Sequence, residues 1–322
     1  MSTLSASNSP LQIVRYNELI PCRSAFIDAH TPGSNLKENY TIIGGGVSES
    51  PDQHVHIKET PGFNIGGAAQ PAGCHNSLHS HRTAEVFIIH SGTWRFVWGE
   101  DGTDGHVDLD PGDLISLPTH MFRGFENVTA KTDANPNGYA FMFAVLGGDD
   151  AGGGVEWAPQ VLEDATDHGL VLLDNGSLID TLKGQTIPDD HKPKEQMTPE
   201  ELAFYSQNTI ENEQQVVVRR RNLNLGLNNI LGTGEGNAIR EVTGFAIDAL
   251  RLSADMVWEH HCSTDTVVVC VSGEVTGTPS LASGDTLFIK AGQELSLAAK
   301  DGECLLYCVT PTGDPAGPTR YL

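Results

Sequence analysis

The chain has 322 residues and a formal net charge of −23 at pH 7, from 19 basic and 42 acidic side chains. Nucleic acids and anionic membranes bind basic surfaces, so this charge argues against both as partners. No apolar run reaches the ~18 residues that a membrane helix needs, and residues 1–10 lack the features of a secretory signal. With six cysteines and no C-x-x-C pair, we expect a cytoplasmic protein with reduced thiols.

Short strands are predicted after an N-terminal segment, which we define as residues 11–60. The β-rich runs cover residues 84–89, 94–98, 113–117 and 139–146. Turn-forming dipeptides, for example Ser-Gly and Pro-Gly, separate these runs. Regular short strands with such breaks are typical of an antiparallel barrel or sandwich.

Two histidines and a glutamate in this region have the spacing of a metal site. His79 and His81 are one residue apart, and Glu85 follows four positions later. In an extended strand these positions face the same side. A solvated polar face would also show this spacing, but Phe87 and Ile89 continue the same face and indicate that it is inside. Two imidazoles and one carboxylate suit a divalent first-row metal and leave positions open for other ligands.

This spacing resembles the first signature motif of the cupin superfamily, which runs here over residues 73–92. The second motif of that family follows, with departures, over residues 112–127. The resemblance implies a double-stranded β-helix, the cupin form of the jelly roll. It also assigns the metal to His79, His81 and Glu85.

The second motif departs from the family at two positions. His120 stands where the family usually has glycine, and Arg123 occupies the place of the last metal-binding histidine. A guanidinium has no lone pair for a metal and presents a planar donor fork. We therefore expect Arg123 to be a catalytic residue that holds an anion, with either Glu85 or a substrate carboxylate as its counter-charge. His120 and His75 are further candidate ligands.

Residues 149–214 differ in composition from the flanking regions. They contain 15 acidic and 3 basic residues. A helix is predicted near residues 198–206, where threonine, proline and two glutamates resemble a helix N-terminus. We interpret this stretch as an acidic connection between two domains.

The β pattern returns over residues 215–322. When the spacing of the first barrel is laid over this region, the metal-ligand positions fall on His260, Cys262 and Thr266. The region therefore resembles a second cupin barrel that has kept its frame and lost its metal set. His260 and Cys262 are either a buried structural pair or half of a zinc site that needs outside ligands.

The sequence thus predicts an all-β protein of two double-stranded β-helix barrels, joined by an acidic linker with a short helix. The predicted domains are residues 1–148, 149–214 and 215–322. This arrangement, a bicupin, resembles gentisate-type and quercetin-type dioxygenases. Open sheet edges predict either a homo-oligomer or barrels that lend strands to each other within one chain.

The leading hypothesis for function is a metal-dependent oxidoreductase. The resemblance implies an Fe(II) dioxygenase with a small-molecule substrate, either aromatic or carboxylate-bearing, although Mn, Ni and Zn accept the same ligands. A non-oxidative isomerase or lyase with the metal as Lewis acid is a second hypothesis. The third is a metal-free small-molecule-binding bicupin in which Arg123 pairs with Glu85.

Overall fold

A computed structural model describes residues 9–148 and 154–313. Its first part is a barrel of two facing sheets. The strands in this part, in chain order, are β1 (Leu11–Val14), β2 (Glu38–Ile43), β3 (Val55–Ile57), β4 (Phe63–Gln70), β5 (His75–Ser80), β6 (Glu85–Ser91), β7 (Trp94–Trp98), β8 (Gly105–Leu109), β9 (Leu114–Leu117), β10 (Arg123–Asn127), β11 (Ala140–Gly147) and β12 (Glu156–Trp157).

The connection between the barrels contains more structure than the sequence predicts. Its elements are α1 (Pro159–Asp167), β13 (Leu170–Leu172), β14 (Leu178–Asp180), α2 (Pro199–Tyr205) and β15 (Val217–Val218). Helix α2 confirms the predicted helix, because Thr198 and Glu201 form a capping box at its start. Helix α1 was not predicted, because its N-cap is Ala158, which makes no side-chain cap.

The second barrel has the same two-sheet construction. Its strands are β16 (Gly226–Gly232), β17 (Ile239–Arg240), β18 (Phe245–Leu252), β19 (Val257–His261), β20 (Thr266–Ser272), β21 (Glu274–Gly277), β22 (Leu281–Ala282), β23 (Thr286–Ile289), β24 (Glu294–Ala299) and β25 (Cys304–Pro311). Short 3-10 turns occur at Tyr16–Glu18, Ile27–His30, Thr181–Lys183, Glu213–Gln215 and Arg220–Asn222.

Each barrel combines a large sheet with a small one. In the first barrel, seven strands in the order β15-β9-β6-β11-β4-β2-β3 face five in the order β12-β5-β10-β7-β8. In the second, seven strands in the order β1-β23-β20-β25-β18-β16-β17 face four in the order β19-β24-β21-β22. The two-barrel all-β fold predicted from the sequence is confirmed.

The barrels exchange strands within the chain. Strand β1 pairs with β23 of the second barrel, with Leu11 opposite Ile289. Strand β15 pairs with β9 of the first barrel, with Val217 opposite Ile115. Each exchange covers an edge that would otherwise expose unpaired backbone groups. The sequence predicted either a homo-oligomer or barrels that lend strands to each other within one chain. The structure contains the second arrangement.

The two large sheets pack back to back, and apolar side chains from both form one core between the barrels. Phe63 of the first barrel meets Phe245 of the second with ring centroids 5.8 Å apart. Separate apolar clusters fill the interior of each barrel. Because the large sheets are buried on both faces, strands such as β11 are buried at every residue instead of alternating with polar residues.

Candidate metal centre

The fold brings His79, His81 and Glu85 together inside the first barrel. His79 is the second-to-last residue of β5 on the small sheet, and Glu85 begins β6 on the large sheet after a tight connection. All three side chains are buried, and one potential ligand atom from each lies within 4.8 Å of the others. Among residues 9–148 and 154–313, this is the one group of three such residues.

The two imidazoles are oriented as metal ligands require. Nδ1 of His79 lies 2.8 Å from the carbonyl oxygen of Ser77, and Nδ1 of His81 lies 3.0 Å from that of Gly154. A proton on each of these nitrogens would leave both Nε2 lone pairs free for a metal. Burial, helped by the charge of Arg123, lowers the pKa of His79 to about 3, so this ring is neutral at physiological pH.

Arg123 lies behind the glutamate. It is fully buried on β10, directly opposite His79 in the strand register. Its Nε and Nη2 lie 3.2 and 2.9 Å from Oε2 of Glu85, and Nη1 donates to the carbonyl oxygen of Met121 at 3.1 Å. Burial alone would raise the pKa of Glu85, but His81 and Arg123 hold that pKa below its usual range. The sequence left two possible counter-charges for Arg123, Glu85 and a substrate carboxylate. In the structure Glu85 is the counter-charge.

A β-bulge keeps the candidate His75 away from this site. Along the pairing of the two strands, β5 advances three residues, from His79 to Asn76, while β10 advances two. The extra residue places Asn76 on the inner face with His79 and turns His75 outward. The imidazole of His75 lies against Gly33, where an added β-carbon would come within 2.4 Å of the ring.

The candidate His120 also lies outside the ligand group. Its φ of +54° places it in the left-handed region, which explains why glycine suits this turn. Its backbone N–H donates to the carbonyl oxygen of His81 at 3.0 Å, but its ring packs on Phe204 of α2 with centroids 4.4 Å apart. His120 therefore contributes its backbone to the site and its side chain to the docking of α2.

A buried polar network, which no sequence pattern predicted, supports the β5 bulge. Lys37 forms an ion pair with Asp28 and donates to Oδ1 of Asn76 at 2.7 Å. The second oxygen of Asp28 accepts the backbone N–H of Ser77 at 3.1 Å. Lys37 and Asp28 belong to the N-terminal segment and are almost fully buried. No local pattern in the sequence links residues so far from the motif.

A cavity of about 70 Å³ adjoins the three ligand residues. The N-terminal segment covers one side through Phe26, Val47 and other residues. Beside Phe26, the indole of Trp157 lies 5.5 Å from the ring of His79. The site is therefore enclosed mainly by apolar and aromatic groups.

The corresponding positions of the second barrel are arranged differently. His260 stacks on Trp258, with ring centroids 4.8 Å apart and an interplanar angle of 8°. Cys262 is fully buried in the apolar cluster of that barrel, together with Leu295 and Leu297. Such an interior fits the predicted loss of the metal set.

Comparisons with known proteins agree on the fold. No protein-family model matches the chain, and no curated protein matches it in sequence. Solved structures do match. A bacterial pirin, YhhW from Escherichia coli in complex with nickel(II), has a TM-score of 0.53 at 12% identity, with 94% of this chain and 99% of that chain covered.

An oxalate decarboxylase from Lactobacillus farciminis, in a formate complex, has a TM-score of 0.54 at 9% identity, with 96% of this chain and 88% of that chain covered. The protein Ylba from E. coli has a TM-score of 0.51 at 10% identity, with 94% of this chain and 92% of that chain covered. These likenesses concern the fold, so the finer resemblance to gentisate-type and quercetin-type dioxygenases stays a prediction.

The described part of the chain contains no helix long and apolar enough to cross a membrane. In the first of the two jelly-roll barrels of this chain, two histidines and a glutamate lie together in the interior. The chain has the bicupin form of the cupin fold.

Proposed function

We propose that the first barrel binds one divalent first-row metal and that the protein is a metal-dependent dioxygenase of a small organic compound. Nε2 of His79, Nε2 of His81 and a carboxylate oxygen of Glu85 would hold the metal. The observation that carries this proposal is the set of two imidazoles and one carboxylate, which converge beside a cavity.

The donor set favours Fe(II) among the metals considered. Two histidines and one carboxylate leave adjacent coordination positions open, the arrangement of non-haem Fe(II) oxygenases. A bound Fe(II) would supply the redox chemistry and the Lewis acidity. Mn, Ni and Zn accept the same ligands, and the nickel in the pirin YhhW structure supports keeping them as alternatives.

The protein groups around the ligands have distinct tasks in this proposal. The carbonyl oxygens of Ser77 and Gly154 fix the imidazole tautomers. Arg123 holds Oε2 of Glu85, and Oε1 faces the imidazole of His81. The apolar lining excludes water from the cavity, which strengthens electrostatic interactions there.

Two other functions have some support. The likeness to an oxalate decarboxylase supports a non-oxidative reaction on the same metal. The buried pair of Arg123 and Glu85 supports a metal-free binding protein, because each charge already has its partner. These alternatives use the same residues, so metal content and oxygen uptake separate them.

The test starts with metal analysis of protein purified without chelator. Oxygen consumption is then measured against a panel of small phenols, enols and carboxylates. About one iron per chain with substrate-dependent oxygen uptake supports the proposal. Metal without oxygen uptake favours the non-oxidative reaction, and ligand binding without metal favours the metal-free protein. His79→Ala, assayed in parallel, controls for adventitious iron.

A further inference from the structure

The end of the exchanged strand β15 is fixed to the first barrel by Asp113. Nη1 of Arg219 lies 3.0 Å from Oδ2 of Asp113 and donates to the carbonyl oxygen of Asp108 at 2.6 Å. The backbone N–H of Arg220 donates to Oδ1 of Asp113 at 2.8 Å, and a 3-10 turn follows at Arg220–Asn222. These contacts account for the side chain of Arg219, but they use only the backbone of Arg220.

The end of the other exchanged strand, β1, makes the same contacts with the second barrel. Nη1 of Arg15 lies 2.6 Å from Oδ2 of Asp285 and donates to the carbonyl oxygen of Ser280 at 3.0 Å. The backbone N–H of Tyr16 donates to Oδ1 of Asp285 at 3.0 Å, and a 3-10 turn follows here too. The two strand ends are therefore equivalent, and Tyr16 corresponds to Arg220.

The two equivalent strand ends differ in charge. The β1 end has Tyr16 followed by Asn17. The β15 end has Arg220 followed by Arg221 at the same positions. The aliphatic stem of Arg220 packs over Gly112, where an added β-carbon would come within 2.6 Å of Cδ. Since a tyrosine and an asparagine serve at the β1 end, the strand exchange requires no guanidinium group at either position.

A third arginine, Arg251, also has an uncharged counterpart. On β18 it pairs with Leu305 of β25, and the matching pair in the first barrel is Ala69 of β4 with Phe141 of β11. Leu305 and Phe141 correspond, because each also pairs with the last residue, a serine, of the neighbouring strand β20 or β6. The fold therefore accepts alanine where the second barrel has Arg251.

These three arginines meet at one cavity between the barrels. The cavity has a volume of about 400 Å³. The first barrel, the connection and the second barrel all contribute to its lining, which consists of Asp110, Pro111, Asp113, Arg220, Arg221 and Arg251. Arg220 is half-buried and Arg221 is exposed, so a ligand from solvent can reach both.

Two of the three arginines have no counter-charge. Within the part of the chain that the structure describes, the side chains of Arg220 and Arg221 form no hydrogen bond or ion pair. Arg251 differs, because it pairs with Glu303 at 2.9 Å and donates to the carbonyl oxygen of Leu223 at 2.9 Å. The cavity thus offers two planar groups of N–H donors to a ligand.

The carboxylates of the lining do not offset this charge. Asp113 is matched by Arg219 at 3.0 Å, and its two oxygens also accept the backbone N–H groups of Arg220 and Asp110. Asp110 accepts the hydroxyl of Thr93 at 2.8 Å and forms no ion pair with the described residues. The lining therefore keeps an excess of positive charge in a protein whose net charge is −23.

We propose that this cavity binds a small oxyanion with two negative charges, either a phosphate group or a dicarboxylate. Arg220 and Arg221 each present a planar donor fork, which suits both kinds of oxyanion. Arg251 bounds the site on the side of the second barrel. The bound anion links three parts of the chain, so it stabilises their arrangement by mass action. The proposal does not depend on the metal centre.

Calorimetric titration at constant ionic strength tests this site with two probes, inorganic phosphate and succinate. Both are doubly charged in slightly alkaline buffer, and singly charged formate is the control. We expect about one bound anion per chain, with formate bound about tenfold or more weakly. The probe that binds more tightly identifies the natural ligand as a phosphate or a dicarboxylate. The proposal is wrong if neither probe binds, or if formate binds as tightly.

Two variants remove the unpaired guanidinium groups. Arg220→Met keeps an unbranched stem over Gly112, and Arg221→Gln changes an exposed side chain without contacts in the described structure, so thermal unfolding should show both proteins folded. Each should weaken binding about tenfold or more, because charge-assisted hydrogen bonds are lost.

The matched control for these variants is Arg240→Gln. Arg240 is exposed on β17 and lies at the opposite end of β16 from Arg251. Because distant surface charges are screened by salt, this variant should change the affinity by less than about twofold. Equal weakening in Arg240→Gln and Arg221→Gln would mean that net charge attracts the anion, and the cavity would lose its role.

A further titration separates this cavity from the metal centre. The two share no residue, so His79→Ala, which removes a candidate metal ligand, should bind phosphate or succinate as the parent protein does. Loss of binding in His79→Ala, with binding retained in Arg221→Gln, would place the anion at the metal and overturn the proposal.

Discussion

Two guanidinium nitrogens of Arg123 contact the same carboxylate oxygen of Glu85: Nε and Nη2 lie 3.2 and 2.9 Å from Oε2. The other oxygen, Oε1, lies 3.5 Å from Nε2 of His81. One carboxylate can thus serve the arginine on one side and a metal on the other. In the cupin motif, the position of Arg123 is that of the fourth metal ligand. Here Arg123 instead supports Glu85, the third candidate ligand.

Replacing this arginine should make folding depend on metal. Arg123→Leu leaves Glu85 buried without a counter-charge, which destabilises a protein by ~3–5 kcal/mol. A bound cation would replace the lost charge, so Zn(II) should restore much of that stability. Urea unfolding with chelator and with Zn(II) measures both states. An equal loss in the two conditions would contradict this role. Arg123→His, which supplies an imidazole, should bind metal more tightly than the parent protein.

We predict that the first barrel binds the metal. We expect about one metal per chain, lost in His79→Ala, because that variant removes a ligand. His260→Ala is the matched control, since His260 stacks on Trp258 in the second barrel, and it should keep the metal. Elemental analysis of the purified proteins decides this. Two metals per chain, or metal retained in His79→Ala, would refute the assignment.

The buried pair of Lys37 and Asp28 should position His79. Lys37→Met leaves Asp28 uncompensated, so we expect a loss of ~3–5 kcal/mol in the free energy of unfolding. It also frees Asn76, whose amide nitrogen lies 3.2 Å from Nδ1 of His79, and the loss of such support typically weakens metal binding by ~10–100-fold. The double variant Asp28→Asn/Lys37→Met should be less destabilised than Lys37→Met alone. Additive effects in urea unfolding would mean that the two residues act independently.

His120 should be replaceable without loss of metal. Its left-handed backbone costs a non-glycine residue ~1–2 kcal/mol, so His120→Gly relieves strain while it loses the contact with Phe204. His120→Ala loses the same contact and keeps the strain. The glycine variant should therefore be the more stable of the two by about 1 kcal/mol. Metal content reduced in both variants would identify His120 as a ligand after all.

Glu49 should contribute stability that is lost as the pH rises from about 5 to 8. Its oxygens accept the indole N–H of Trp157 and the backbone N–H of Ile27, and burial raises its pKa to about 7. The folded state then binds a proton that the unfolded chain has already lost above its ordinary pKa of ~4.3. Glu49→Gln should remove part of this pH dependence in thermal unfolding. Identical slopes in both proteins would exclude Glu49 as a source.

The local spacing of the sequence was enough to predict that the three candidate metal ligands lie close together. Alternation along an extended strand places His79, His81, Glu85 and Phe87 on one face, and the structure puts all of them inside the first barrel. Helix α2 could be predicted because the residues of its capping box are close together in the sequence. Helix α1 has no side-chain cap. These are features in which neighbours along the chain are also neighbours in space.

The sequence by itself thus determined the two-barrel fold class and the grouping of His79, His81 and Glu85 on one face, because both depend on short-range patterns. Only the tertiary structure decided the partner of Arg123, since Glu85 lies on a different sheet. The same holds for the exclusion of His75, which depends on one extra residue in the pairing of β5 with β10. The reciprocal exchange of β1 and β15 and the burial of Lys37 with Asp28 are also tertiary outcomes. They arise from packing and charge compensation between residues distant in sequence, for which a single chain carries no local pattern.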